Sequence, residues 1–244
     1  METLTVMSYN ICYYNFDQGE HGYPETLLAE KSGDLKEMLM EYSPDLIGLQ
    51  EDAEYCDKKK TLKSVDYLFR PIWTYNPGSA YTTIRSKLQT VKDSYKLLFF
   101  STGRCYRRTL VYTEGRKKLL FISAHPMYGT ANAVQRETEY AELFQHIRTS
   151  QWDYCVVTGD FNSCTEQDKA NLKRLCGLNG FGIAIGDYLP WVVTCLGHDG
   201  KGKQSLDNIL FSSNIRVNKL AVLRDWYSRL YSDHVPVVAE LRLM

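Results

Sequence analysis

The chain has 244 residues, room for one large domain or two small ones, and its 29 basic and 29 acidic side chains cancel. A neutral chain has no general coat for holding a polyanion, which argues against broad nucleic-acid binding. With 44% hydrophobic and 13% aromatic residues, the composition is that of an ordinary globular protein able to bury a core without staples.

No repeat, low-complexity tract or linker divides the sequence, so a single domain over 1–244 is expected. No apolar run approaches the ~18 residues that span a bilayer. The N-terminus lacks the charged and then apolar segments of a signal peptide. Seven cysteines, none in a C-x-x-C pair, are scattered partly through apolar runs. They read as small buried hydrophobes in a reducing compartment. A soluble, cytoplasmic monomer without a transmembrane segment is the expectation.

In chain order, "LTVMSYNI" (4–11) reads as a strand, and 25–42 as a helix on which Leu28, Leu35, Met38, Leu39 and Tyr42 share a face, with Gly33 weakening it. Strand-length runs follow at 45–50, 95–101, 108–113 and 118–124. Tyr140, Leu143, Phe144 and Ile147 keep helical spacing within 135–149. After the strand 154–159, Thr165 is placed to cap a helix running to about Cys176. Strands at 206–211, 219–224 and 235–243 complete the chain. Strands outnumber helices, and helices interrupt them irregularly. That pattern predicts a mixed α/β or α+β domain with two sheets rather than a strictly alternating parallel wind.

Polar residues gather at the strand ends. Asn10, Glu51, His125 and the Asp160/Asn162 pair follow strands, while Asp207 and the Asp233–His234 pair stand where strands begin. Strands of opposite direction put exits and entrances on one rim, the kind of crevice where such sheets host ligands. Singly, most of these residues are ordinary turn or cap formers. Asp207 is different, because a carboxylate inside an apolar run has to be paired.

Together they suggest metal-assisted phosphoester hydrolysis. Mg²⁺ or Mn²⁺ takes oxygen ligands, which Glu51 and Asn10 provide and Asp160 or Asp233 can add to. A His234–Asp207 pair can take a proton or stabilise charge on phosphorus, and His125 offers a second group to the phosphate. No His-x-x-His or cysteine cluster of a structural zinc site is present.

The ordered set "MSYNI", "DLIGLQE", "ISAHP", "VVTGDFN", "SLDNI" and "SDHVPV" resembles the endonuclease/exonuclease/phosphatase superfamily from residue 5 to 241. The resemblance implies a deoxyribonuclease I-like, four-layer α/β/β/α sandwich of two mixed sheets, and a Mg-dependent hydrolase cleaving a phosphoester by activated water. By resemblance, Glu51 with Asn10 holds the metal and Asp233 is a further metal or water ligand. Asp160 positions the water or a metal, Asn162 orients the phosphate, Asp207 orients His234, and His125 serves the phosphate or leaving group. Asn208 departs from the pattern, where an aromatic residue or histidine is usual. The substrate-contact stretch survives only as "YTTIRSK" (81–87), leaving Arg70, Thr82 and Arg85 as candidate contacts, with Tyr75, Lys87, Lys201 and Lys203 behind them. A DNA-directed nuclease and a silent binding module are the alternatives, and no motif position has decayed as the latter would require.

Overall fold

The computed structural model describes residues 2–11, 25–51, 70–71, 82–197, 200–230 and 232–244, with the backbone alone for 25–32 and 70–71. Two sheets stack face to face. The first runs β11-β12-β1-β2-β4-β3, with β1 Thr3–Asn10, β2 Leu46–Gln50, β3 Arg70–Pro71, β4 Thr82–Ser86, β11 Ile215–Val222 and β12 Val237–Leu243. The second runs β5-β6-β7-β8-β10-β9, with β5 Lys96–Phe99, β6 Cys105–Tyr112, β7 Lys118–Ala124, β8 Tyr154–Asp160, β9 Phe181–Ile183 and β10 Asp207–Ser212. Both sheets are mixed: β1/β2 and β7/β8 are parallel, and the remaining pairs antiparallel.

Strand periodicity sorts the apolar residues into layers. On β1, Leu4 and Val6 enter the core between the sheets, whereas Met7 and Tyr9 face the opposite way, onto helix α1 (Glu25–Tyr42). On β8, Val156 points between the sheets, while Cys155 and Val157 pack under helices α2 (Ala133–Arg148) and α3 (Glu166–Leu178). The result is helix, sheet, sheet, helix, as the resemblance implied. Thr165 caps α3 through a reciprocal box with Asp168, and the helix continues two residues past Cys176.

The sheets approach closely at Gly48 of β2. A Cβ there would stand 1.9 Å from Thr158 Oγ1 and 3.1 Å from Ser123 Cβ. Beside it, Gln50 Nε2 donates to Ser123 Oγ (3.0 Å), and Ser123 Oγ donates to the Leu49 carbonyl (3.0 Å). A polar layer therefore joins β2 to β7 just where the apolar core ends. The described cysteines are all free; Cys105, Cys155, Cys176 and Cys195 are buried and Cys164 is half-buried. Among the described residues, no helix is long and apolar enough to cross a membrane.

His146 on α2 packs edge-on to Tyr106, ring centroids 5.6 Å apart. Burial, with Arg108 and Lys96 adding repulsion, pushes its pKa from the usual 6.5 down to about 4. The unfolded chain therefore takes up this proton first. The stability from neutral His146 is full above pH 6.5, is lost as pH falls toward about 4, and then levels off. A His146→Leu variant is expected to show a flatter fall in melting temperature across that window than the parent, by calorimetry in matched buffers. Parallel profiles would contradict this.

Candidate active site

The stripe of side chains that forms the inter-sheet core becomes polar at one end. Along β1 it runs Leu4, Val6, Ser8, Asn10; along β7, Leu119, Phe121, Ser123, then His125; along β8, Val156, Thr158, Asp160. On β10 the order is reversed, from Asp207 to Ile209 and Phe211, because that strand is antiparallel to β8 and pairs Asp207 with Asp160. Glu51 breaks the rule. Its parity on β2 would send it toward α1 with Ile47 and Leu49, but its backbone is left-handed (φ 53°), and the turn brings its carboxylate to Asn10 and His125. A non-glycine residue held there stores backbone strain, a common mark of functional positions.

These elements bring the predicted residues together. Asn10 Nδ2 donates to Asp160 Oδ2 (2.9 Å) and Glu51 Oε1 (3.2 Å). His125 Nε2 lies 3.5 Å from Asp160 Oδ2 and 3.7 Å from Glu51 Oε1. His234 Nδ1 meets Asp207 Oδ2 at 2.8 Å, and its Nε2 stands 3.8 Å from Asp160 Oδ2 and 3.9 Å from Asp233 Oδ1. Asn162, also left-handed (φ 50°), donates its backbone N–H to Asp160 Oδ1 (2.9 Å) and its Nδ2 to the Pro126 carbonyl (3.0 Å). It thereby ties the β7 and β8 loops together.

The buried charges set each other's protonation. Burial pushes Asp160 up, but His234, His125 and the Asn162 N–H outweigh it and hold the carboxyl below the usual carboxylate range. Burial likewise opposes the His234 charge, yet Asp207 and Asp160 overcome it and raise the imidazole well above its ordinary value. Asp207 is raised, by burial first and by nearby Asp160, against the pull of His234. Asp160 is thus an anion, and His234 holds a proton. Glu51, His125 and Asp160 bring ligand atoms within 4.8 Å of one another. Two carboxylates beside an amide form an oxygen-rich donor set, and the excess negative charge fits a hard divalent cation.

Of the weaker candidates, Thr82 pairs with Gln50 at the end of β4 next to Glu51, with its side chain fully buried. Arg85 lies opposite Ile47 and is buried too. Neither side chain is presented to solvent. Lys87 donates to the Ser43 carbonyl and hydroxyl, and Lys201 and Lys203 are exposed. The Arg70 backbone forms β3, and Tyr75 lies outside the described residues. Asn208 has a structural use. Its side chain brackets Ile185, accepting from its N–H and donating to its carbonyl, each at 2.9 Å.

Several supporting residues have roles that the sequence alone does not reveal. Ser232 Oγ donates to the Asn10 carbonyl (2.5 Å) and accepts from the His234 N–H (3.0 Å). Thr194 Oγ1 accepts from the N–H groups of Leu206 and Asp207, and its carbonyl accepts from Val235. The loop after His125 is held from α2. Arg136 donates to the Met127 and Gly129 carbonyls and bidentately to Asp168 (3.1 and 2.8 Å), while Glu139 accepts from the Met127 N–H (2.6 Å). All three charged residues are buried. The Thr165 cap was legible; its box with Asp168 and the distant arginine were not.

Removing one member of such a buried pair strands the other. Arg136→Met is expected to lower the unfolding free energy by about 3–5 kcal/mol in denaturant titrations, with partial recovery on adding Asp168→Leu. A loss of under about 1 kcal/mol, the size of a surface pair, would show that this ion pair does not hold the loop.

Residues 7–234 match the sequence model of the Endonuclease/Exonuclease/phosphatase family. No curated protein matches the chain. Among solved structures, TDP2 from D. rerio, complexed with a single-strand DNA product, superposes with a TM-score of 0.74 at 18% identity, over 99% of this chain and 100% of that one. The human Nocturnin catalytic domain with bound sulfate superposes with a TM-score of 0.67 at 19% identity, over 99% and 95%. ANGEL2, a 2',3'-cyclic phosphatase, gives 0.73 at 15% identity, over 98% and 95%. At these identities the likeness is one of fold.

Proposed function

Because this chain belongs to the endonuclease/exonuclease/phosphatase family, a family of metal-dependent phosphoester hydrolases, we propose that it cleaves its phosphoester with Mg²⁺ or Mn²⁺ and the rim residues Asn10, Glu51, His125, Asp160, Asn162, Asp207, Asp233 and His234. The observation that carries the reading is the Asp207–His234 pair at 2.8 Å with ionised Asp160 Oδ2 3.8 Å from the other imidazole nitrogen. Glu51, with Asn10 beside it and Asp160 adjoining, would hold the cation. When bound, it would offset charge on the phosphate oxygens.

The remaining steps belong to the protein. Asp160, kept ionised by its neighbours, accepts a hydrogen bond from the attacking water and orients it toward phosphorus. His234, protonated and turned by Asp207, donates from Nε2 to a phosphate oxygen as negative charge builds there. His125 offers a second donor beside it. Asp233, half-buried at the crevice, completes the ligands for metal or water. Asn162 acts through position, by holding Asp160 and the Pro126 loop.

Substrate identity is the open variable. Zero net charge speaks against a broad polyanion surface, which favours a compact phosphodiester or phosphomonoester. A nuclease is the second reading, prompted by the single-strand DNA product in the zebrafish relative. Arg70 remains a candidate substrate contact, and Thr82 and Arg85 are weaker ones because their side chains are buried. The buried free thiols fit a reducing compartment and so a cytoplasmic enzyme.

His234→Ala and Asp160→Ala are each expected to lower turnover by about 10²–10⁴-fold under conditions where melting shows the variant folded, in a screen of phosphodiesters, phosphomonoesters, single-stranded DNA and 2',3'-cyclic phosphates. Unchanged hydrolysis in either variant overturns the mechanism. EDTA is expected to abolish turnover and Mg²⁺ or Mn²⁺ to restore it. Full activity in excess chelator would contradict the metal requirement.

A further inference from the structure

One side chain at the rim belongs to none of the motifs. Cys195 forms an isolated antiparallel bridge with His234, and the adjacent Leu196 N–H donates to the Asp233 carbonyl (2.7 Å). The backbone therefore fixes the thiol against both members of the Asp233–His234 pair. Its Sγ lies 3.9 Å from Asp233 Oδ2, and His234 Nε2 is 3.9 Å from Asp233 Oδ1. All three ligand atoms fall within 4.8 Å of one another.

A thiol, an imidazole nitrogen and a carboxylate oxygen are a poor set for Mg²⁺ and a good one for zinc. Tetrahedral bonds to zinc separate such ligands by about 3.3–3.6 Å, so binding would draw the Cys195 and His234 atoms, each now 3.9 Å from the Asp233 carboxylate, closer to it. The outer contacts are also in place. His234 Nδ1 is bound to Asp207 at 2.8 Å, the carboxylate–histidine arrangement that turns Nε2 toward a metal. Three protein ligands leave one position for water or a phosphate oxygen.

We propose that Cys195, Asp233 and His234 form an inhibitory zinc site, in which the captured ion takes the Nε2 that turnover requires. On binding, the Cys195 thiol proton and the proton on His234 Nε2 pass to solvent as the Zn–S and Zn–N bonds form; no electron transfer is involved. The inhibitory half rests on the hydrolase reading above, whereas the binding half does not.

The test uses the full chain, stripped of metal and titrated first with Co²⁺ and then with Zn²⁺. The parent is expected to show thiolate-to-cobalt charge-transfer absorption that Zn²⁺ abolishes. Cys195→Ala and the near-isosteric Cys195→Ser, both checked by thermal melting, are expected to lack that band and to bind zinc at least about tenfold more weakly. In Mg²⁺-supported turnover, both variants keep the parent rate without zinc, and the half-inhibiting zinc concentration rises by the same factor. No charge-transfer band in the parent overturns the site. So does equal zinc affinity in both variants, which would move the ion to Glu51, His125 and Asp160. A chain with no measurable turnover defeats the hydrolase reading alone, because the cobalt spectrum still decides the site.

Discussion

Everything at the crevice follows from the cost of burying carboxylates together. Asp160 and Asp207 face each other across β8 and β10, both almost wholly shielded from water, with Glu51 beside them. Isolated ionised carboxylates would not survive such burial; they would take up protons or open the structure. Two imidazoles and an asparagine amide stand between them and share the charge. A buried network of this kind is favourable only when its geometry is held closely, because a half-satisfied one is worse than an apolar core. Much of the surrounding architecture supplies that hold: Ser232 between Asn10 and His234, Thr194 on Asp207, and Arg136 behind the His125 loop.

The polar layer beneath the rim serves the same end. Gly48, Gln50, Ser123 and Thr158 lie where the inter-sheet space passes from apolar core to charged crevice. Hydrogen bonds across the gap set the spacing of the sheets. That spacing places Asn10 and Glu51, on one sheet, against His125 and Asp160 on the other. Bulk at Gly48 would separate residues two strand positions away from it.

Much of this was legible because strand alternation is a strict rule. Asn10, Asp160 and Asp207 occupy the same face as the core residues before or after them, so a polar residue at the end of an apolar stripe marks the rim. Glu51 was legible as the polar residue ending the β2 run and through its motif, but not through alternation. Its parity is wrong, and the left-handed turn that corrects it has no glycine or asparagine to announce it. β9 went unseen because Phe181–Ile183 is three residues long and holds a glycine, whose Cβ would meet the Phe211 ring at 2.4 Å. Thr194, Cys195 and Arg136 stayed hidden for another reason. Their partners are close in space and distant in sequence, and no local pattern records such pairings. Asn208, which looked like a departure from the family pattern, proves to be a clamp on Ile185.

β1 lies between β2 and β12, so its two neighbours come from opposite ends of the fold. Ser232 reaches the Asn10 carbonyl across 222 residues of sequence, and Thr3–Ser8 pairs with Val237–Arg242. On the ribosome, one edge of β1 must therefore wait for nearly the whole of the remaining domain to be made. Until then it offers unpaired N–H and C=O groups beside an uncovered apolar face, a template for pairing with other chains. The rim is complete only when that strand is closed, so a nascent chain acquires its charged crevice in the same late event that removes its aggregation hazard.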